Sequence, residues 1–209
     1  MKNEMFIPED YDYLTLYGNY PNAQNELVDY LESTLKIDYN KLHAEEERIK
    51  NIEWCEEEFT VFVVPKGTPR PRSANGHFYV KDAKKNKKLF KKFLKDHSII
   101  FTRCELELTT WQPTPLTSMT NNEILLAEKG LLRPISNPDF DNLAKTYTDA
   151  IQGILLMNDN IVNPGCVKKY YSIKPRINIK LRWQKEFDSK YNERKTLSSK
   201  AYQNLILKG

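Results

Sequence analysis

The 209 residues include 32 Lys+Arg and 28 Asp+Glu, a formal net charge of +4, with 40% hydrophobic and 11% aromatic side chains. That suits one domain with an elaboration and a real core. It excludes a membrane protein, since apolar runs such as Val61-Phe62-Val63-Val64 fall far short of the ~18 residues a spanning helix needs. The opening MKNEMFIPED has no apolar stretch of the secretory kind. The three cysteines are odd in number and widely spaced, which fits a reducing, cytoplasmic setting. No zinc spacing, phosphate loop or GxSxG elbow is present. The charge is unevenly divided. Residues 1–60 hold 15 acidic and 5 basic side chains, net −10, and residues 61–209 hold 13 and 27, net +14. A strongly basic body points to nucleic acid as a partner, with an unpartnered solvated surface as the alternative.

In chain order, Leu27, Tyr30, Leu31 and Leu35 repeat at helical spacing, predicting a helix over residues 25–36. A second helix is expected over 41–56, with Leu42, Ile49, Ile52 and Cys55 inward. Phe59 to Val64 reads as a buried strand. The chain therefore divides into an acidic helical extension over 1–57, a main domain over 58–185 and a helical tail over 186–209. The −10 extension could cover the basic body as a mimic of DNA, recruit a partner, or simply pack as two solvated helices.

Pro65-Lys66-Gly67-Thr68-Pro69-Arg70-Pro71-Arg72 cannot be helical and presents Arg70 and Arg72 on a stiff extended segment. The Asn75-Gly76 turn makes 59–72 and 77–80 an irregular hairpin. Residues 81–96 form a helix with an apolar stripe through Phe90 and Leu94, its remaining faces covered by lysines that include Lys84 and Lys88. That lysine face is either a phosphate contact or merely solvated. Ser98 to Thr110 alternates as a half-buried strand, 111–119 is loop, and 121–129 is a short helix ended by Gly130. Residues 142–152 form another helix, Ile161-Val162 a short strand, and Tyr170–Trp183 a longer one. Within this basic stretch Lys168, Lys169 and Arg176 are candidate DNA contacts.

The acidic cluster is the most informative segment. In Pro138-Asp139-Phe140-Asp141-Asn142-Leu143-Ala144-Lys145, two carboxylates lie two residues apart, with Asp141 placed to cap the helix that follows. Asp141, Lys145 and Asp149 then recur along one polar stripe at i, i+4 and i+8. The chain from 153 to 159 is long enough to double back, which would bring Asp159 beside Asp139 and Asp141. Three clustered carboxylates call for a hard cation such as Mg²⁺, and Lys145 could meet the scissile phosphate. That set suits phosphodiester hydrolysis. The plainer alternative makes Asp141 a cap, Asp139 a turn residue and Asp159 a loop residue.

The order PDFDNL, Lys145, Asp149-Ala150-Ile151-x-Gly153, then Asp159 with Ile161-Val162, resembles the PDxDNLxKxxxDALxG and DDxxV signature of the RusA family of Holliday-junction resolvases. Pro69-Arg70-Pro71-Arg72 and Lys174-Pro175-Arg176 are similar to its basic flanks, so the resemblance covers about residues 59–183. It implies an α+β fold, a mixed sheet flanked by helices. It implies a dimeric, Mg²⁺-dependent endonuclease, with Mn²⁺ a possible substitute, that cuts four-way branched DNA by paired nicks. Carried over by position, Asp139, Asp141 and Asp159 become metal-binding catalytic carboxylates and Lys145 the catalytic lysine. Asp149 and Asn142 become supporting residues. Asn158 stands where the family usually has an acid. The competing reading is a non-catalytic junction-binding protein with a structural acidic cluster.

Overall fold

A computed structural model describes residues 20–67, 72–74, 77–79, 83–94 and 97–207. Two compact units divide between Asn51 and Ile52. The first holds α1 (Tyr20–Thr34) and α2 (Tyr39–Lys50). Asp38 caps α2 by accepting the Lys41 N–H, and the exposed pairs Glu45–Arg48 and Glu47–Lys50 lie one turn apart. The helix expected to run to residue 56 stops at Lys50, because the chain needs the next residues for a strand.

The second unit is a four-stranded mixed sheet with helices packed on one face. The strands are β1 (Trp54–Val61), β4 (Cys104–Pro113), β5 (Val162–Ser172) and β6 (Arg176–Gln184), in the order β1-β6-β4-β5. β6 is antiparallel to both neighbours, and β4 and β5 are parallel. A parallel pair needs a long crossover. Here the crossover contains α4 (Asn121–Glu128) and α5 (Phe140–Ile151). A small separate hairpin, β2 (Arg72–Ala74) with β3 (His77–Tyr79), precedes α3 (Ala83–Phe93). α6 (Lys190–Leu197) and α7 (Lys200–Ile206) follow the sheet. This is the α+β class that the sequence implied.

Several boundaries differ from the sequence reading. β1 begins five residues earlier than Phe59 and pairs with β6, not with the hairpin at 77–79; Phe62 and Val64 lie beyond it and are exposed. Glu56 and Glu58 fit a strand because they point to the open face, where Lys180 and Asn178 receive them at 2.8 and 2.9 Å. β4 starts at Cys104 and continues through Trp111, whose indole stacks on Tyr170 at 5.8 Å. Of the short strand expected at Ile161-Val162, Ile161 ends a 3-10 turn and Val162 opens eleven-residue β5. Ile173, expected inside a strand, is exposed in the turn between β5 and β6.

The other sheet face carries the core. Leu106 and Leu108 of β4 and Ile177, Ile179 and Leu181 of β6 pack against Phe90 of α3 and Leu143, Tyr147 and Ile151 of α5. Phe90 sits edge-on between Phe59 and Tyr147, at 6.2 and 6.3 Å. This aromatic run locks α3 and α5 to the sheet and leaves Lys87, Lys88, Lys91 and Lys92 of α3 exposed. Burial pushes the Cys104 thiol up to about 12, so it behaves as a small core hydrophobe. Among the described residues no helix is long and apolar enough to cross a membrane.

Candidate active site at the two ends of helix α5

Gly130 adopts φ +75° past the end of α4, and α5 begins ten residues later at Phe140. Asp139 is its N-cap, not Asp141, because the helix starts at Phe140. The Asp139 carboxylate nevertheless makes no capping hydrogen bond. Its oxygens are left for another partner, and the positive helix end favours the ionised carboxylate. Asp141 lies in the first turn and is also exposed. Lys145 reaches Asp149 at 3.3 Å and keeps 71% of its side chain exposed.

Two neighbouring contacts shape this end. The Lys66 N–H donates to the Tyr147 hydroxyl at 3.0 Å, and that hydroxyl donates to the Lys66 carbonyl at 3.3 Å. A Cβ on Gly67 would lie 2.5 Å from Asn142 Nδ2, so any other residue here would have to displace the Asn142 side chain. The segment leaving β1 is thus pinned to α5 just before the Pro-Arg stretch. Burial raises the Tyr147 hydroxyl above its ordinary pKa, while its hydrogen bond with the Lys66 backbone acts the other way. The second contact is Lys169, whose ammonium donates to the carbonyls of Ser136 and Pro138 at 2.9 and 3.0 Å. It grips the loop that carries Asp139.

Asp159 is elsewhere. After α5 the chain turns at Gly153 (φ +73°), and Leu156 bridges both Gln152 and Ile100. Met157 N–H then bonds to the Ile100 carbonyl at 2.9 Å. The segment closes on the C-terminal end of α5 and does not run back along it as an extended chain. Asp159 opens a 3-10 turn, Asp159–Ile161, that leads into β5. The Lys169 ammonium that holds the Pro138 carbonyl stands on β5 seven residues after Val162, ~23 Å along the strand at about 3.3 Å per residue. Asp139 and Asp141 thus stand at the start of α5, and Asp159 stands in the 3-10 turn before β5. Among the described residues no group of three His, Cys, Asp or Glu side chains forms a metal cage. Asn158 caps the 3-10 turn by accepting the Asn160 N–H at 3.4 Å, a role that needs a side-chain oxygen and no charge.

Asp139 and Asp141 still fit a divalent cation. Mg²⁺ uses one or two carboxylates and completes its shell with water and phosphate, so an open pair of hard oxygen donors suffices.

The candidate DNA contacts separate into groups. Arg70 lies outside the described residues. Arg72 opens β2 and Lys84 lies in the first turn of α3. Lys88 is exposed on α3. Lys168 is paired with Glu107 at 2.7 Å, a bond that raises its pKa. Arg176 stacks 3.9 Å from the Trp111 ring and donates to Ser172 Oγ and the Lys174 carbonyl. Lys168, Lys169 and Arg176 are therefore engaged inside the fold. The tyrosine in the apolar stripe of α5 was the available sign of the Lys66 anchor, because a buried hydroxyl needs a partner.

Residues 61–182 match the family model described as Endodeoxyribonuclease RusA. The chain is also 32% identical, over 134 residues, to the uncharacterized protein YqaN of Bacillus subtilis (strain 168), covering 59% of this chain and 94% of that protein.

Proposed function

The chain belongs to the RusA endodeoxyribonuclease family, and on that premise we propose that it resolves four-way DNA junctions by Mg²⁺-dependent phosphodiester hydrolysis, with Mn²⁺ able to substitute. Its context is recombination, repair or phage DNA processing. The observation that carries the reading is the N-terminal end of α5. There an uncapped Asp139, an exposed Asp141 and a Lys145 one turn along share one helix end. A carboxylate used for structure would have capped the helix; Asp139 does not.

Bound there, Mg²⁺ supplies Lewis-acid charge stabilisation and an acidified water. The protein's own residues do the rest. Asp139 and Asp141 hold the cation, Lys145 places an ammonium where charge develops on the scissile phosphate, and Asp149 orients Lys145. The exposed lysines of α3 and the Pro-Arg segment hold the DNA backbone without reading bases.

A homodimer is part of the same proposal. Asp159 lies at the other end of α5, so a second copy is the natural source of the third carboxylate. Two-fold pairing also gives two symmetric sites for paired nicks on a two-fold junction. Asp141→Asn is expected to abolish junction cleavage in Mg²⁺ while binding in Ca²⁺ stays within about twofold of wild type. Equal cleavage by variant and wild type overturns the catalytic reading.

A further inference from the structure

Beside Asp159 the structure has a cavity of about 310 Å³, near the lower end of the size range of sites that hold small ligands. One wall comes from Asn160, Ile161 and Asn163, the residues that follow Asp159. The other comes from Phe187 and from α6, including Lys195 and Thr196. That second wall lies beyond residue 182, where the family match ends. The cavity therefore joins residues inside the family match to residues beyond it.

Its lining has two kinds of surface. Phe101 and Phe187 stand with ring centroids 5.7 Å apart and tilted by 41°, and Phe101 is 39% exposed, so an apolar face is open to a planar ligand. Opposite are the side-chain amides of Asn160 and Asn163, which hydrogen-bond to no group among the described residues. The Lys195 ammonium lies 5.5 Å from the Tyr191 ring, and Asp188 lines the same cavity. Arg103 also lines it, held by the Asn163 carbonyl at 3.2 Å and paired with Glu105 at 3.8 Å. A stacking surface, base-edge donors and acceptors, and a cation together match one nucleotide: a flat base, a polar edge and a phosphate. Fully paired DNA cannot enter such a cavity. A nucleotide at the exchange point of a junction, where stacking is already broken, gives up little to do so.

We infer that this cavity receives one unstacked deoxynucleotide of the junction, its base against Phe101 and Phe187 and its phosphate toward Lys195. The inference takes its ligand from the branched-DNA reading and adds a site that places the strand relative to Asp159. Occupancy would make the cut position depend on which base sits beside the exchange point.

The test uses the full chain and a four-way junction carrying 5-iododeoxyuridine at each position around the exchange point, irradiated in Ca²⁺. The expected crosslinks fall on Phe101 or on the 187–196 peptide, for one or two adjacent positions only. Thr196→Trp, which fills the cavity, and Lys195→Gln are each expected to lower that crosslink at least fivefold without changing the melting temperature. Crosslinks confined to α3 or β2, or a yield unaffected by both variants, overturn the inference. Cleavage in Mg²⁺ is scored on the same junction. A chain that crosslinks through the cavity and does not cut refutes the nuclease reading alone; one that cuts without the crosslink refutes this inference alone.

Discussion

Tyr147 fills the core with its ring and ties down a loop with its hydroxyl. Tyr147→Phe keeps the ring but leaves the Lys66 N–H unpaired, at an expected cost of about 1–3 kcal/mol, read by thermal melting. Burial raises this hydroxyl's pKa above the ordinary 10.0, so the folded state favours the neutral form. Its contribution is complete below that ordinary value and is lost as pH rises past it. The wild type should therefore lose stability above about pH 10 more steeply than Tyr147→Phe. Lys169 acts similarly on the Asp139 loop. Lys169→Met should raise the Mg²⁺ concentration needed for half-maximal cleavage severalfold, with activity recovering at high Mg²⁺. A lysine that only bound DNA would change junction affinity instead. At this scale the sequence showed Asp141, Lys145 and Asp149, because helical spacing puts them on one stripe, and Asp139 because it stands two residues before Asp141. It could not separate Lys88 from Lys168, Lys169 and Arg176. A positive charge in sequence does not reveal whether Glu107, two backbone carbonyls or Trp111 already occupies it.

Among the elements, α5 was legible because its apolar face is regular, and Leu143, Tyr147, Ala150 and Ile151 are buried as the period requires. β1 was not. Glu56, Glu57 and Glu58 in succession hide the alternation, and the partners that make a strand of them stand on β6, late in the chain. β5 was obscured in the same way, since Asn163-Pro164-Gly165 gives no period and its register comes from β4. The approach of the β1 exit to α5 at Gly67 can be tested as a coupling. Gly67→Ala should destabilise by about 1 kcal/mol by displacing the Asn142 side chain, and the same change in an Asn142→Ala background should cost clearly less. Equal costs in the two backgrounds, measured by denaturant melting, would show that the close approach carries no energy.

For the whole molecule, the open sheet face is a mesh of paired charges, Glu56–Lys180, Glu105–Arg182 and Glu107–Lys168, so much of the basic body's charge is already answered within the fold. Lys87, Lys88, Lys91 and Lys92 of α3 stay exposed, and if such lysines hold the junction, salt should weaken its binding steeply. The three carboxylates make a sharper test. If the site is completed across two chains, mixing Asp139→Asn with Asp159→Asn protein rebuilds one intact site in each mixed pair. Random exchange then restores about a quarter of wild-type sites, cutting one strand per junction. If each chain holds its own site, the mixture stays inactive. A catalytic set divided between two copies in this way would also have a consequence for the cell. A lone chain, freshly made or diluted below its pairing concentration, would be unable to harm the genome around it. Cutting would then rise with roughly the square of protein abundance, a threshold set by geometry without any inhibitor.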